Sequence, residues 1–305
     1  MAALFYSLTL FLILLTTFFS LPQSNHMPAK VYSAEITSPV LASELLFPTL
    51  IASPSPTIVL PFQDSYYQTA PEIPATISAQ TQGDFCLNVP VIMYHHIQPM
   101  DMAKKLGHDS LTVDSGKFEE QMKYLVSQGY TAVGAETLIE SLYNRQQLPP
   151  KSVVVTIDDG YDDNYTYAFL VAKKYNLVMN FMIPTDLIGT SGYMNWDHVK
   201  EMAMNPYARL YNHTASHAEL DKISQDEIRY EITDAMSDMQ NNLHYYYPLL
   251  TYPYGQYNQS VIDTATSLGL KGAFTTKHGN MHCLSKVMEL PRYHVANEPL
   301  SSLGL

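Results

Sequence analysis

Two adjacent carboxylates, Asp158 and Asp159, end the β-branched run Val153-Val154-Val155-Thr156-Ile157 and precede Gly160-Tyr161. Neighbouring residues leave a strand on opposite sides, so one carboxylate can hold a cation while the other faces a substrate. Alone, Asp-Gly after a strand is ordinary turn chemistry. A second group changes that reading. His213 and His217 stand at i and i+4 in Asn212-His213-Thr214-Ala215-Ser216-His217. On a helical turn, or a tight loop of that pitch, both imidazoles face one way. Two imidazoles and a carboxylate suit a divalent transition metal and leave positions open for water. A histidine pair by itself is often a surface coincidence; beside a strand-end Asp-Asp-Gly it reads as a metal centre. Tyr252-Pro253-Tyr254-Gly255 is a loop fixed by proline and glycine. Such a loop can aim a backbone N–H at an oxyanion, although without the other groups it would be a plain turn.

These groups are far apart in sequence, so strands and helices must bring them together. Val89 to Tyr94 reads as a strand ending at His95-His96. Phe118, Met122 and Leu125 recur at helical spacing, and Gly129 ends that helix. Tyr130 to Val133 predicts a short strand, and Leu138, Ile139 and Leu142 a helix broken by Pro149-Pro150. After the Val153 strand come a helix from about Asn164 to Tyr175, a strand from Leu177 to Ile183, a helix from Trp196 to Met204 and a strand from Ala208 to Tyr211. Ser224 with Glu227 forms a capping box ahead of the stripe Ile228, Ile232, Ala235, Met239. A strand at Leu249 to Tyr252, a helix on Val261, Ile262, Ala265 and Leu268, a strand at Lys271 to Thr275 and a last one at Glu289 to Val295 complete the series. Alternation of strand and helix over roughly 200 residues predicts an α/β fold, a (β/α) barrel whose C-terminal strand ends share one face. His95, Asp158, Asp159, His213, His217 and Tyr254 all fall at or just after such ends.

The remaining sequence bounds what the barrel works on. A net charge of −12 argues against nucleic acid, which needs a basic face. The 2 cysteines, Cys86 and Cys283, make no disulfide-dense scaffold and no zinc ribbon. They form one bridge if the protein is exported, or remain two buried thiols. Ala2 to Leu21 is almost wholly apolar, like an export signal or an N-terminal membrane anchor, which places residues 1–30 in that role. Residues 31–87 read as a Pro/Ser/Thr-rich, largely disordered linker. It holds prolines at 39, 48, 54, 56, 61, 71 and 74 and no lysine or arginine. The catalytic domain is expected over residues 88–305, outside the cytoplasm, secreted or anchored at the cell surface, and monomeric.

Thr156-Ile157-Asp158-Asp159-Gly160 resembles the first motif of the polysaccharide deacetylases, carbohydrate esterase family 4, usually Thr-Phe-Asp-Asp-Gly. His213-Thr214-Ala215-Ser216-His217 is similar to the second, and Pro253-Tyr254-Gly255 to the end of the third. Gly192 to Met202 and Leu290-Pro291-Arg292 resemble further family segments. The resemblance implies a distorted (β/α) barrel of about seven strands. It also implies that Asp158 is the general base, that Asp159, His213 and His217 hold a divalent metal, and that the Tyr254 N–H serves the oxyanion. Zinc is the expected ion, with cobalt, nickel or ferrous iron as alternatives. Trp196, Tyr161 and Pro253 are the expected substrate contacts. The arginine that opens the third motif and contacts the base is missing, with Thr251 near its place. No fourth or fifth motif is recognisable. Met93-Tyr94-His95-His96 is instead similar to the branch acting on poly-N-acetylglucosamine, which makes His95 the expected general acid and His294 its competitor. The implied activity is removal of N-acetyl groups from an N-acetylglucosamine polysaccharide. Two rivals are an O-acetyl esterase on a glycan such as xylan and a glycan-binding protein with a decayed site. The missing arginine favours decay; the intact aspartates and histidines oppose it.

Overall fold

A computed structural model describes residues 83–305. The export segment, and the linker up to residue 82, lie outside the described residues. Ser152–Ile157 (called β2 here) is buried along its whole length, as expected of a Val/Ile-rich strand covered on both faces. Val91–Tyr94 (β1) lies on one side of it, and Met179–Ile183 (β3), Ala208–Asn212 (β4), Leu249–Thr251 (β5) and Gly272–Phe274 (β6) follow on the other. All neighbours are parallel. Tyr293–His294 (β7) pairs in parallel with the free side of β1. Just before it, Leu290 bridges Phe274 of β6. The Leu290 N–H donates to the Ala273 carbonyl, and the Leu290 carbonyl accepts from the Thr275 N–H, each at 2.9 Å. The segment from Leu290 to His294 thus joins the two outer strands and curls the sheet into a distorted (β/α) barrel. The strand expected from Glu289 to Val295 is interrupted, because Pro291 has no N–H to give a ladder.

Among the described residues, seven α-helices accompany the strands: Met100–Leu106 (α1), Ser115–Ser127 (α2), Ala135–Tyr143 (α3), Leu170–Tyr175 (α4), Trp196–Ala203 (α5), Gln225–Leu243 (α6) and Gln259–Ser267 (α7). The capping box of α6 forms as read, with Ser224 and Glu227 bonded reciprocally. Its stripe Ile228, Ile232, Ala235, Met239 is buried. The helix expected from Asn164 starts as a π-helix over Asn164–Phe169 before α4, a winding frequent near functional sites. Here the side chain of Asn164 donates to the His95 carbonyl at 2.8 Å, which ties this turn to the end of β1.

Two strand pairs and one helix were not foreseen. After β1 the chain forms a second strand, His96–Gln98, parallel to Thr112–Asp114, with α1 between them. Cys86–Asn88 also forms a strand, antiparallel to Met281–Cys283. Leu87 is buried there, so residues 86–87, within the stretch read as linker, belong to this strand pair. Cys86 and Cys283 lie opposite one another in that pair and are joined by a disulfide, which resolves the two alternatives for the thiols. Among the described residues no helix is long and apolar enough to cross a membrane.

Candidate active site

Asp158 and Asp159 leave the end of β2 in different backbone conformations. Asp158 continues the sheet, its N–H donating to the Tyr94 carbonyl at 2.9 Å. Asp159 turns into the left-handed region at φ 78°. Both side chains are buried, but they meet different partners.

Asp159 meets the histidines. Its Oδ1 lies 3.2 Å from His213 Nε2 and 3.1 Å from His217 Nε2. The expected i, i+4 spacing is realised by a tight loop rather than a helix. His213 follows β4 directly, and Thr214 and His217 have φ of 66° and 63°. Conformations of this kind cost about 1–3 kcal/mol each for non-glycine residues and persist where the surroundings over-determine them. The surroundings here are hydrogen bonds. The Thr214 N–H donates to Asn212 Oδ1 at 2.7 Å, and the His217 N–H donates to Thr214 Oγ1 at 3.0 Å. The His213 Nδ1–H donates to the Thr251 carbonyl at 2.8 Å. That bond assigns the proton to Nδ1 and leaves the Nε2 lone pair aimed at Asp159, the arrangement expected of a metal-ligating histidine. Ligand atoms of Asp159, His213 and His217 all lie within 4.8 Å of one another. One carboxylate and two imidazoles, one with a fixed tautomer, fit a divalent transition ion. Burial would raise the Asp159 carboxyl, yet the two imidazoles set against it hold it well below the usual carboxylate range.

Asp158 meets an arginine. Arg292, fully buried, donates from Nη1 to Asp158 Oδ1 at 2.8 Å and from Nη2 to Oδ2 at 2.7 Å. Its Nη1 also donates to Thr156 Oγ1, and its Nε to the Thr275 carbonyl. Burial opposes ionisation of Asp158, but the guanidinium outweighs it and holds the carboxyl below its ordinary value. The arginine judged missing is therefore present, delivered by the barrel-closing segment rather than by the strand before the Pro-Tyr-Gly loop. Thr251, near the place where the third motif would open, offers the site its carbonyl, to His213. The available signal was a lone arginine in the apolar run Leu290 to Val295.

Tyr254 also lies in the left-handed region, at φ 57°, in the turn Pro253–Gly255. Its ring meets that of His217 edge-on at 4.6 Å. Its N–H donates to no group among the described residues, whereas those of Gly255 and Gln256 close the turn onto Tyr252 and Pro253. A free N–H beside a histidine of the cluster suits an oxyanion. Gly255 is required, since a Cβ there would collide with the Thr276 side chain. Tyr161 stacks on His96 at 3.6 Å and neighbours Tyr193 at 5.2 Å. Burial and the Asp159 charge push its phenol well above the ordinary tyrosine range. The other two expected substrate contacts are placed differently. Pro253 is buried, and Trp196 packs half-buried against the main hydrophobic cluster.

His95 and His96 separate in role. His96 is buried, with Nδ1 2.5 Å from Asp163 Oδ2 and its ring between Tyr161 and His108. It is a satisfied structural histidine. His95 Nδ1 is buried without a hydrogen-bond partner. Burial lowers its basicity, against the opposing pull of the Asp158 and Asp159 charges. Its ring faces that of His294, exposed at the end of β7, at 5.8 Å.

Residues 145–273 match the family model described as polysaccharide deacetylase. A Bacillus subtilis (strain 168) protein, YxkH, whose name assigns it to the polysaccharide deacetylases, is 29% identical over 209 residues, covering 67% of this chain and 72% of its own. The poly-β-1,6-N-acetyl-D-glucosamine N-deacetylase of Escherichia coli (strain K12) is 22% identical over 231 residues, 62% of this chain but 34% of that protein. Among solved structures, the Streptococcus pyogenes deacetylase PplD, in complex with acetate, superposes with a TM-score of 0.66 at 25% identity, over 70% of this chain and 96% of that one.

Proposed function

We propose that the chain is a member of the polysaccharide deacetylase family, whose model matches residues 145–273, and that it is a metal-dependent hydrolase. Its substrate is a polysaccharide containing N-acetylglucosamine, from which it removes N-acetyl groups. The observation that carries this reading is the meeting, at one end of β2, of a buried Asp-His-His ligand set and a buried Asp158–Arg292 pair.

Asp159, His213 and His217 would hold the ion. A divalent ion there supplies Lewis-acid polarisation of the acetyl carbonyl and acidification of a water molecule. Asp158 accepts the proton of the attacking water. Its bidentate contact with Arg292 uses one lone pair on each oxygen and leaves others to take that proton. The same contact keeps it ionised at neutral pH. The Tyr254 N–H stabilises negative charge as it grows on the carbonyl oxygen. His95 then protonates the departing sugar nitrogen, because an amide anion is a very poor leaving group. Tyr161 borders the site and meets the sugar. The Cys86–Cys283 disulfide suits an oxidising compartment and so supports an extracytoplasmic location for the enzyme. With Arg292 on the base, the argument for a decayed site loses its support.

The test is acetate release from a panel of poly-N-acetylglucosamine, chitooligosaccharide, peptidoglycan and acetylxylan, with zinc content measured on the same protein. Release of acetate and free amine together from an N-acetylated polymer, lost with chelator and restored by zinc, is the expected result. His213→Ala should bind zinc at least tenfold more weakly. Release from acetylxylan alone would make it an O-acetyl esterase, and tight zinc binding by His213→Ala would refute the ligand set.

A further inference from the structure

Glu231 stands on the buried face of α6, between Ile228 and Ile232. A carboxylate in that stripe is out of character, because burying charge is unfavourable unless strong partners compensate. Among the described residues, its side-chain partner lies on one neighbouring segment. Glu231 Oε2 accepts the Ser216 N–H at 2.8 Å, Oε1 accepts the Ser216 hydroxyl at 2.5 Å, and the Glu231 carbonyl accepts the Ala215 N–H at 2.9 Å. All three bonds fall between His213 and His217, on the two residues just before His217.

We propose that Glu231 is the positioning residue of the metal site: by clamping Ser216 it holds the 214–217 loop in the shape that presents His217 Nε2 to the ion. The inference rests on the metal-binding reading above. The clamp is needed because the loop carries two left-handed non-glycine residues, Thr214 and His217. The loop's internal bonds, from Thr214 to Asn212 and from His217 to Thr214, lie toward its start and its end. Ser216, between them, takes its side-chain anchor from Glu231 alone. Hydrogen bonds to an ionised acceptor are roughly twice as strong as neutral ones. The geometry of the pair also fixes direction, with one carboxylate oxygen for the backbone and one for the hydroxyl. A partner of this kind behind a ligating histidine typically sets metal affinity by 10–100-fold. Glu231 touches neither ion nor substrate, so its effect should enter through binding of the ion.

The experiment is calorimetric titration of metal-free, full-length protein with zinc alone, with backbone amide exchange of the 214–217 loop measured on the same apo samples. Glu231→Ala should bind zinc about 10–100-fold more weakly and lose protection at Ser216 and His217. Glu231→Gln should recover most of the affinity, since its oxygen can accept the Ser216 N–H while its amide donates to the hydroxyl. Ser216→Ala, which removes one of the two side-chain bonds, should fall between them with a melting temperature close to the parent's. If Glu231→Ala fails to fold, Glu231→Gln and Ser216→Ala still decide. Zinc affinity within twofold of the parent in every folded variant overturns the inference, even if melting temperatures fall. A parent that binds no zinc overturns the metal reading and the inference with it; a parent that binds while the variants bind equally well overturns the inference alone.

Discussion

Arg292 and Asp158 show what a single pair of side chains can decide. Both are buried, and their forks meet through two parallel hydrogen bonds. Removing one partner of such a pair leaves an uncompensated buried charge and typically costs about 3–5 kcal/mol. Arg292→Met should therefore destabilise the fold by about that amount in urea unfolding. The double variant Asp158→Asn/Arg292→Met should be more stable than Arg292→Met alone, because no charge is then stranded. An Arg292→Met variant as stable as the parent would show that the pair is not the buried contact described. Sequence reading located Asp158, Asp159, His213 and His217, because each lies in a short motif whose neighbours declare its chemistry. It missed Arg292 as the base's partner, since the two residues are 134 positions apart. Their meeting depends on the last strand closing the barrel, a relation carried by no local pattern. It also could not show that Pro253 would be buried.

The elements that carry the site are the strand ends and the loops that leave them. Asp159, Thr214, His217 and Tyr254 are all left-handed at those ends, so the loops are held by strand geometry and hydrogen bonds against their own preferences. Runs of apolar residues made the long buried strands readable. The pairing of His96–Gln98 with Thr112–Asp114 was not, because strands of three residues carry too little periodicity to stand out. The outer strands matter most for the acid. β1 and β7 lie side by side, and each delivers a histidine, His95 and His294, to the same end of the barrel. His95 is the more buried, with an unpartnered Nδ1. General acid catalysis typically contributes about 10²–10⁴-fold. His95→Ala should keep its zinc, lose amide hydrolysis by a factor in that range, and lose less on an activated aryl ester whose leaving group needs no proton. Equal losses on amide and ester would transfer the acid's role to His294, to be tested by His294→Ala.

Across the whole molecule, the barrel is clasped by the pair of strands that precede β1 and follow β6. The Cys86–Cys283 disulfide spans 197 positions of sequence, nearly all of the barrel. Closing a loop of that size restricts the unfolded chain and is expected to stabilise the fold by roughly 4–5 kcal/mol. On the second of these strands stands His282, fully buried, its Nε2–H donating to the Val89 carbonyl at 2.9 Å. Its Nδ1 is buried without a partner, so protonation would place a charge where nothing compensates it. Burial accordingly lowers its pKa from 6.5 to about 4. The consequence has a definite sign. Between those values the unfolded chain binds a proton that the folded chain refuses, so stability rises with pH across this window. The contribution is complete above about pH 6.5 and is lost as pH falls toward about 4, on the order of 3 kcal/mol in all at about 1.4 kcal/mol per unit. Carboxylates elsewhere also titrate near the lower limit, so the informative quantity is a difference between variants. His282→Gln keeps a donor for Val89 and carries no titrating group. With the disulfide intact, the parent's urea midpoint should fall more steeply than that of His282→Gln between pH 6.5 and 4.5. Parallel profiles would mean that His282 takes up its proton in the folded protein as readily as in the unfolded chain, and that the clasp is not pH-sensitive at this residue.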